Sequence, residues 1–325
     1  MQVIIPLAGK GTRLKPHTHT KAKPLIQVAG KPVLAHILNE LVKINVEEVI
    51  FIVGHLKEQI IDFVKENYKF KAHFVEQKEL LGQAHAIWLA EKFITEDVLI
   101  WFVDTLTDAN LGELLKEKSD GVVYVKEDPD PTRFGQVIVG KDKIIKEIVE
   151  KANPPKSNLV NIGLYWVKDY KLLFECIEDL MARKLETKGE YYLVDAFQLM
   201  FKKGAKFVAR EVKVWEDCGK LNTLLKTNRY FLDHGCSKVA KTKNTVIIPP
   251  VYIDNSAEIL DSVIGPYVSV AKGSKIIGSI IKDSIISENA LVENAKLIQS
   301  LVGDGAIVKG MSRRMNVGDS SEIIY

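Results

Sequence analysis

Cysteine is scarce in this 325-residue sequence. Cys176, Cys218 and Cys236 are odd in number and far apart, with no CxxC pair. That argues against a disulfide framework and a zinc knuckle, and a reducing, cytoplasmic setting is expected. Long apolar runs are also missing. None approaches the ~20 residues needed to span a bilayer. The apolar start Val3-Ile4-Ile5 meets Gly9 and Lys10 too soon to form a signal-peptide core, so no membrane partner is expected. An excess of one charge is lacking too: 45 Lys and Arg stand against 42 Asp and Glu, a net +3. The global field gives no reason for a nucleic-acid partner, and any basic patch is local. Histidine is absent after His234.

What is present is an ordinary globular composition, 46% hydrophobic and 27% charged, long enough for two domains. Residues 1–235 alternate short β-branched runs with helical patterns. Val49 to Val53 precedes a 3.6-period stretch from Leu56 to Tyr68. Ala72 to Val75 leads to Gln83 through Phe93, and Val98 to Val103 leads to Leu111 through Lys118. This rhythm predicts an α/β domain with a parallel sheet covered by helices. Ligands of such sheets bind beyond the carboxyl ends of the strands. The residues there are Ala8-Gly9-Lys10-Gly11, Gly54-His55, Glu76-Gln77 and Asp104-Thr105, so a glycine loop, an amide and a carboxylate share one edge.

Beyond residue 245 the period changes. Ile253, Ile259, Ile264, Val270, Ile276, Ile286, Val292, Ile298, Val302 and Val308 recur nearly every sixth residue, with small and turn-forming residues between them. That pattern predicts a short parallel β-helix. The expected organisation is a domain at 1–235, a linker at 236–244 and a β-helix at 245–325.

The loop after the first strand, Gly9-Lys10-Gly11-Thr12-Arg13, puts glycines among cations, as phosphate binding requires. It has neither GxxxxGK[ST] nor the third glycine of GxGxxG. With Pro16, Lys23-Pro24-Leu25 and Gly30-Lys31-Pro32-Val33-Leu34, it resembles the signature of the sugar-1-phosphate nucleotidylyltransferases. The resemblance continues in order through Glu76-Gln77, Leu81-Gly82-Gln83-Ala84, Val103-Asp104, Phe134-Gly135, Glu150-Lys151, Asn161 to Tyr165, Gly189-Glu190 with Asp195, and Trp215 to Gly219. It implies a Rossmann-like nucleotidyltransferase domain with a mostly parallel mixed sheet, followed by a left-handed β-helix.

The resemblance also implies roles. Arg13 and Lys23 are the catalytic cations. Leu7, Gly9, Gly11, Thr12, Gln77 and Gly82 bind the nucleotide. Gly135, Glu150, Lys151 and Asn161 bind the sugar phosphate, and Asp104 and Asp217 hold Mg2+. The substrates implied are a pyrimidine triphosphate, dTTP or UTP, and a sugar 1-phosphate; a homo-oligomer is expected. The reading favoured here is glucose-1-phosphate thymidylyltransfer. Uridylyltransfer to glucose-1-phosphate or N-acetylglucosamine-1-phosphate is the rival, and a non-catalytic regulatory or scaffold subunit is the reading from another class. Taken singly, Asp104 could instead cap a helix, Asp217 could sit in a surface turn, and Lys151 could be a solvated partner of Glu150. His17-Thr18-His19 lacks a third ligand at metal spacing and is given no role. Bifunctional relatives use a β-helix histidine for acetyl transfer; with none after His234, no such activity is expected.

Overall fold

Val3, Ile4 and Ile5 are completely buried because the strand they form, β1 (Gln2–Pro6), lies inside the sheet with helices packed over it. The computed structural model describes residues 1–187, 189–310, 312–313 and 315–324. The chain divides into two compact units, one of residues 1–9 with 37–215 and one of residues 10–36 with 216–325.

The first unit holds a nine-stranded mixed sheet among the described residues. After β1 come β2 (Glu48–Val53), β3 (Lys71–Glu76), β4 (Val98–Trp101), β5 (Gly121–Glu127), β6 (Gly135–Val139), β7 (Ile145–Glu150), β8 (Leu159–Val167) and β9 (Phe207–Glu211). The spatial order is β7-β6-β8-β4-β1-β2-β3, and β5 lies between β8 and β9. Strands β4, β1, β2 and β3 are mutually parallel, whereas β8 is antiparallel to β4, β5 and β6. The register sets Pro6 beside Ile52 and Val53 beside Glu76, so the parallel strands finish along a common edge, as the βα rhythm predicts.

Among the covering helices, Leu193–Lys202 buries Leu193, Val194, Ala196, Phe197 and Met200, the stripe of a one-sided helix. The expected helix at 111–118 is instead a 3-10 turn, Leu111–Lys116. Leu111 and Leu114 are buried three residues apart while Leu115 is 81% exposed, so the apolar pattern supports a three-residue period only. Among the described residues no helix is long and apolar enough to cross a membrane.

The second unit contains the left-handed β-helix, three faces of five stacked parallel strands each among the described residues. Ile253 lies beside Val270, then Ile286, Val302 and Val317. Ile259, Ile276, Val292 and Val308 stack in the same way on another face, and both columns are buried. Serine hydroxyls tie neighbouring coils at the corners: Ser262 Oγ accepts from Ser279 N at 3.1 Å and Ser279 Oγ from Ala295 N at 3.1 Å. One expected core position is corrected. Ile298 is 44% exposed and Leu297 is buried in its stead, because alternate residues of a strand face opposite sides. Lys238 and Lys243, within the expected linker, already bridge to Tyr252 and Leu260 of the first coil.

Candidate functional site

In the first unit the strand-end edge carries the residues expected to meet a nucleotide. Leu7 is buried and its N–H donates to Ile52 O at 2.7 Å, which carries the chain past β1 to the exposed Gly9. Gln77 follows β3, its N–H bonded to Val53 O at 2.9 Å. Its side chain is 6% exposed, and Nε2 donates to Gly82 O at 3.2 Å and lies 3.1 Å from His85 Nδ1. Burial lowers the pKa of His85, partly offset by Glu79. A neutral ring accepts on Nδ1, which fixes the orientation of the Gln77 amide. The residues at 81–84 are pinned by Tyr191, whose N–H donates to Leu81 O and whose carbonyl accepts from Ala84 N, both at 2.9 Å.

Asp104 stands just past β4, in a turn closed by Thr105 N to Phe102 O at 3.0 Å. A strand, Thr105–Thr107, follows it, so the helix-cap alternative does not apply. The turn is braced from β8, where Phe102 N donates to Gly163 O at 2.8 Å and the Thr105 hydroxyl donates to Ile162 O.

The residues expected to bind the sugar phosphate form one cluster across β6, β7 and β8. Gly135 pairs with Glu150 in the β6-β7 register, and Asn161 Nδ2 donates to Gly135 O at 3.2 Å. A methyl group at Gly135 would stand 2.0 Å from Asn161 Nδ2 and 2.9 Å from Glu150 Oε2, so only glycine lets both side chains close over this point. Lys151 Nζ lies 3.3 Å from Glu150 Oε1 and donates to Tyr192 OH at 3.1 Å. Burial pulls the Lys151 pKa down, but the Tyr192 bond and the Glu150 charge outweigh it, and the net shift is upward. The ammonium therefore stays protonated. Two further residues belong to this cluster: Tyr192, which the sequence reading missed, and Tyr165, given no role there, whose hydroxyl donates to Asn161 Oδ1 at 2.7 Å. The Tyr191-Tyr192 pair just before an amphipathic helix was the available signal.

In the second unit Gly11 has φ +63 and opens the 3-10 turn Thr12–Leu14, which leaves Thr12 and Arg13 exposed. Gly11 O accepts from Thr18 Oγ1 at 2.9 Å, and the base of the Lys23 side chain packs against Gly11. Asp217 Oδ1 accepts from Gly219 N at 2.7 Å, and both Asp217 and Arg13 Nη2 border Gly219. Arg13 and Asp217, more than two hundred residues apart in sequence, are thereby neighbours. Gly11, Thr12, Arg13, Lys23 and Asp217 belong to the second unit; Leu7, Gly9, Gln77, Gly82, Asp104, Gly135, Glu150, Lys151 and Asn161 belong to the first.

Among the described residues no cluster of three or more His, Cys, Asp or Glu side chains could enclose a metal. Asp104 in the first unit and Asp217 in the second each supply a hard carboxylate oxygen, the donor type that suits Mg2+.

The nucleotidyl transferase family model matches residues 2–234. The chain belongs to that family. Its relatives include "Bifunctional protein GlmU" of Methanocaldococcus jannaschii, 38% identical over 233 residues; the match covers 72% of this chain but only 55% of that protein. "Glucose-1-phosphate thymidylyltransferase" of Streptomyces antibioticus is 27% identical over 357 residues and is matched across 99% of both chains, β-helix included. A solved structure of UDP-glucose pyrophosphorylase complexed with UDP-glucose shares the fold, with TM-score 0.62 and 22% identity over 72% of this chain and 98% of that one.

Proposed function

We propose that this nucleotidyl transferase moves a nucleotidyl group from a pyrimidine nucleoside triphosphate to a sugar 1-phosphate and releases pyrophosphate. The observation that carries this reading is the family match over residues 2–234 in a chain that has Arg13, Lys23, Asp104 and Asp217 together. A sugar-phosphate oxygen attacks the α-phosphorus in line, and the bond to the bridging oxygen of the leaving pyrophosphate breaks. Positioning and charge stabilisation supply most of the rate. Arg13 offsets charge on the departing pyrophosphate, and Lys23 draws the sugar phosphate and the α-phosphate together. Gln77 and Gly82 face the base edge, Gly9, Gly11 and Thr12 the triphosphate, and Gly135, Glu150, Lys151 and Asn161 the sugar phosphate. Mg2+, held by Asp104 and Asp217 when bound, supplies Lewis-acid polarisation of the phosphate oxygens.

The preferred substrates are dTTP and glucose-1-phosphate, which the end-to-end match to the Streptomyces antibioticus protein supports. UTP is the rival, because thymine and uracil present the same hydrogen-bonding edge and one methyl is worth only about 1 to 3 kcal/mol. Residues 245–325 are read as a stabilising and oligomerising module.

The test is pyrophosphate release with glucose-1-phosphate and Mg2+, comparing dTTP, UTP, CTP, ATP and GTP. Release with dTTP or UTP is expected. Silence with all five, repeated with N-acetylglucosamine-1-phosphate and mannose-1-phosphate, would favour the non-catalytic subunit.

A further inference from the structure

The segment 10–36, which carries Gly11, Thr12, Arg13 and Lys23, is bound along its length to the β-helix. His17 is buried with Nε2 2.6 Å from Asn316 Oδ1, and Asn316 Nδ2 donates to Lys15 O at 3.4 Å. The Thr20 hydroxyl donates to Asp319, and Lys21 Nζ forms an ion pair with Asp304 at 2.5 Å with both side chains largely covered. Further along, Gln27 Nε2 donates to Glu288 Oε1 at 2.6 Å. Gly30, at φ +82, lies flat against the Tyr252 ring, where a methyl group would stand 2.3 Å from a ring carbon. Buried Asn228 joins the two sides, its Oδ1 accepting from Ala29 N at 2.9 Å and from Ser269 Oγ at 2.6 Å.

These partners are themselves fixed. Asp304 N donates to Asp319 Oδ1 at 2.8 Å, and Asp304 Oδ1 accepts from Glu288 N at 3.1 Å. Glu288, Asp304 and Asp319 therefore form one ladder up the stacked coils, and the loop is bonded to each rung. A short glycine-containing loop has little side-chain packing of its own to hold one conformation. A stacked parallel coil is rigid because every rung is bonded above and below.

We propose that the β-helix is the positioning element for the phosphate-contacting loop, with Asp304, Asn316, Asp319 and Glu288 acting as positioning residues for Arg13 and Lys23. This role rests on the proposed transfer reaction, in which those two cations act, and adds to it a function for residues that touch no substrate. The β-helix is then part of the catalytic apparatus, and its removal or strain is felt as lost rate.

The test uses the full chain with Asp304→Asn, Asn316→Ala, Lys21→Met and the Lys21→Met/Asp304→Asn pair, each checked by thermal melting. Hydrogen exchange of the amides in residues 10–30 is read first, because it needs no turnover. Exchange about tenfold faster in Asp304→Asn and Asn316→Ala is expected; unchanged exchange overturns the proposal. The kinetic expectation is a fall in kcat/KM of about 10- to 100-fold, the scale of a reacting group misplaced by roughly an ångström, carried mainly by kcat. The double variant should lose no more than either single one, since both remove the same ion pair. A lowered melting temperature with kcat/KM unchanged would mean support of the fold alone and would also overturn it. If the wild-type chain is silent with every triphosphate, the transfer reading fails while the exchange result still decides whether the β-helix holds the loop.

Discussion

Gly135 has no room for a methyl group, and this single constraint organises the cluster of Glu150 and Asn161 proposed to bind the sugar phosphate. Gly135→Ala should force Asn161 and Glu150 apart while leaving β6 paired. The expected result is a rise in KM for the sugar phosphate of about tenfold or more, since both displaced groups lose their alignment, with the KM for the triphosphate nearly unchanged. Steady-state kinetics with each substrate varied in turn would check this. Asp104→Asn and Asp217→Asn address the other charge-bearing positions. Each removes a metal-competent carboxylate without changing side-chain volume, so turnover should fall by about 100-fold or more with the melting temperature preserved. Near-normal turnover in either variant would take that aspartate out of the reaction. The types and order of these residues were legible in the sequence. Their supports were less so: Tyr192 holds Lys151 from 41 positions away, which no local period relates, whereas Tyr165 holds Asn161 from four residues along the same strand.

For the β-helix, the distinction between adjacent residues 297 and 298 follows from strand geometry. A one-residue change of phase moves a side chain from the core to the outside, and the hexad spacing could not fix that phase where the steps shorten. Two substitutions measure the difference. Ile286→Ala removes a fully buried side chain and should cost about 2 to 5 kcal/mol. Ile298→Ala, at an outward position, should stay within about 0.5 kcal/mol. Denaturant unfolding of both would read the contrast, and equal effects would mean that the coil is out of phase with this assignment. The turn at 111–116 teaches the same lesson for helices: Leu111, Leu114 and Leu115 resemble a helical stripe in sequence, but only the first two are buried.

Across the whole molecule, His17 couples stability to pH. Burial lowers its pKa; the Asn316 hydrogen bond and the Asp319 and Asp304 carboxylates oppose this, and Lys21 adds to the lowering. In the folded chain the ring is therefore neutral at pH values where the unfolded chain, with an ordinary pKa of about 6.5, already binds a proton. Its contribution is fully present above the unfolded pKa and is lost as pH falls below that value towards the folded pKa. Melting temperature should decline on acidification below about pH 6.5, and His17→Gln should flatten that slope. An identical slope in the variant would remove His17 as the cause. His17-Thr18-His19 has no role on sequence grounds, because its buried contact with Asn316 lies 299 positions away.

The sequence by itself determined the strand-helix alternation of residues 1–235, the edge on which Gly9, Gln77 and Asp104 lie, and the stacked-coil character beyond 245, and it supplied the order of residue types on which the proposal for Arg13, Lys23, Asp104 and Asp217 rests. All of these rest on short-range periods or on residue types in a fixed order. Only the tertiary structure decided that segment 10–36 packs with the β-helix and that Asn228 ties the two together. It also decided that Asp304 and Asp319 are its anchors. Such contacts depend on where the stacked coils bring distant side chains, which no short-range period encodes.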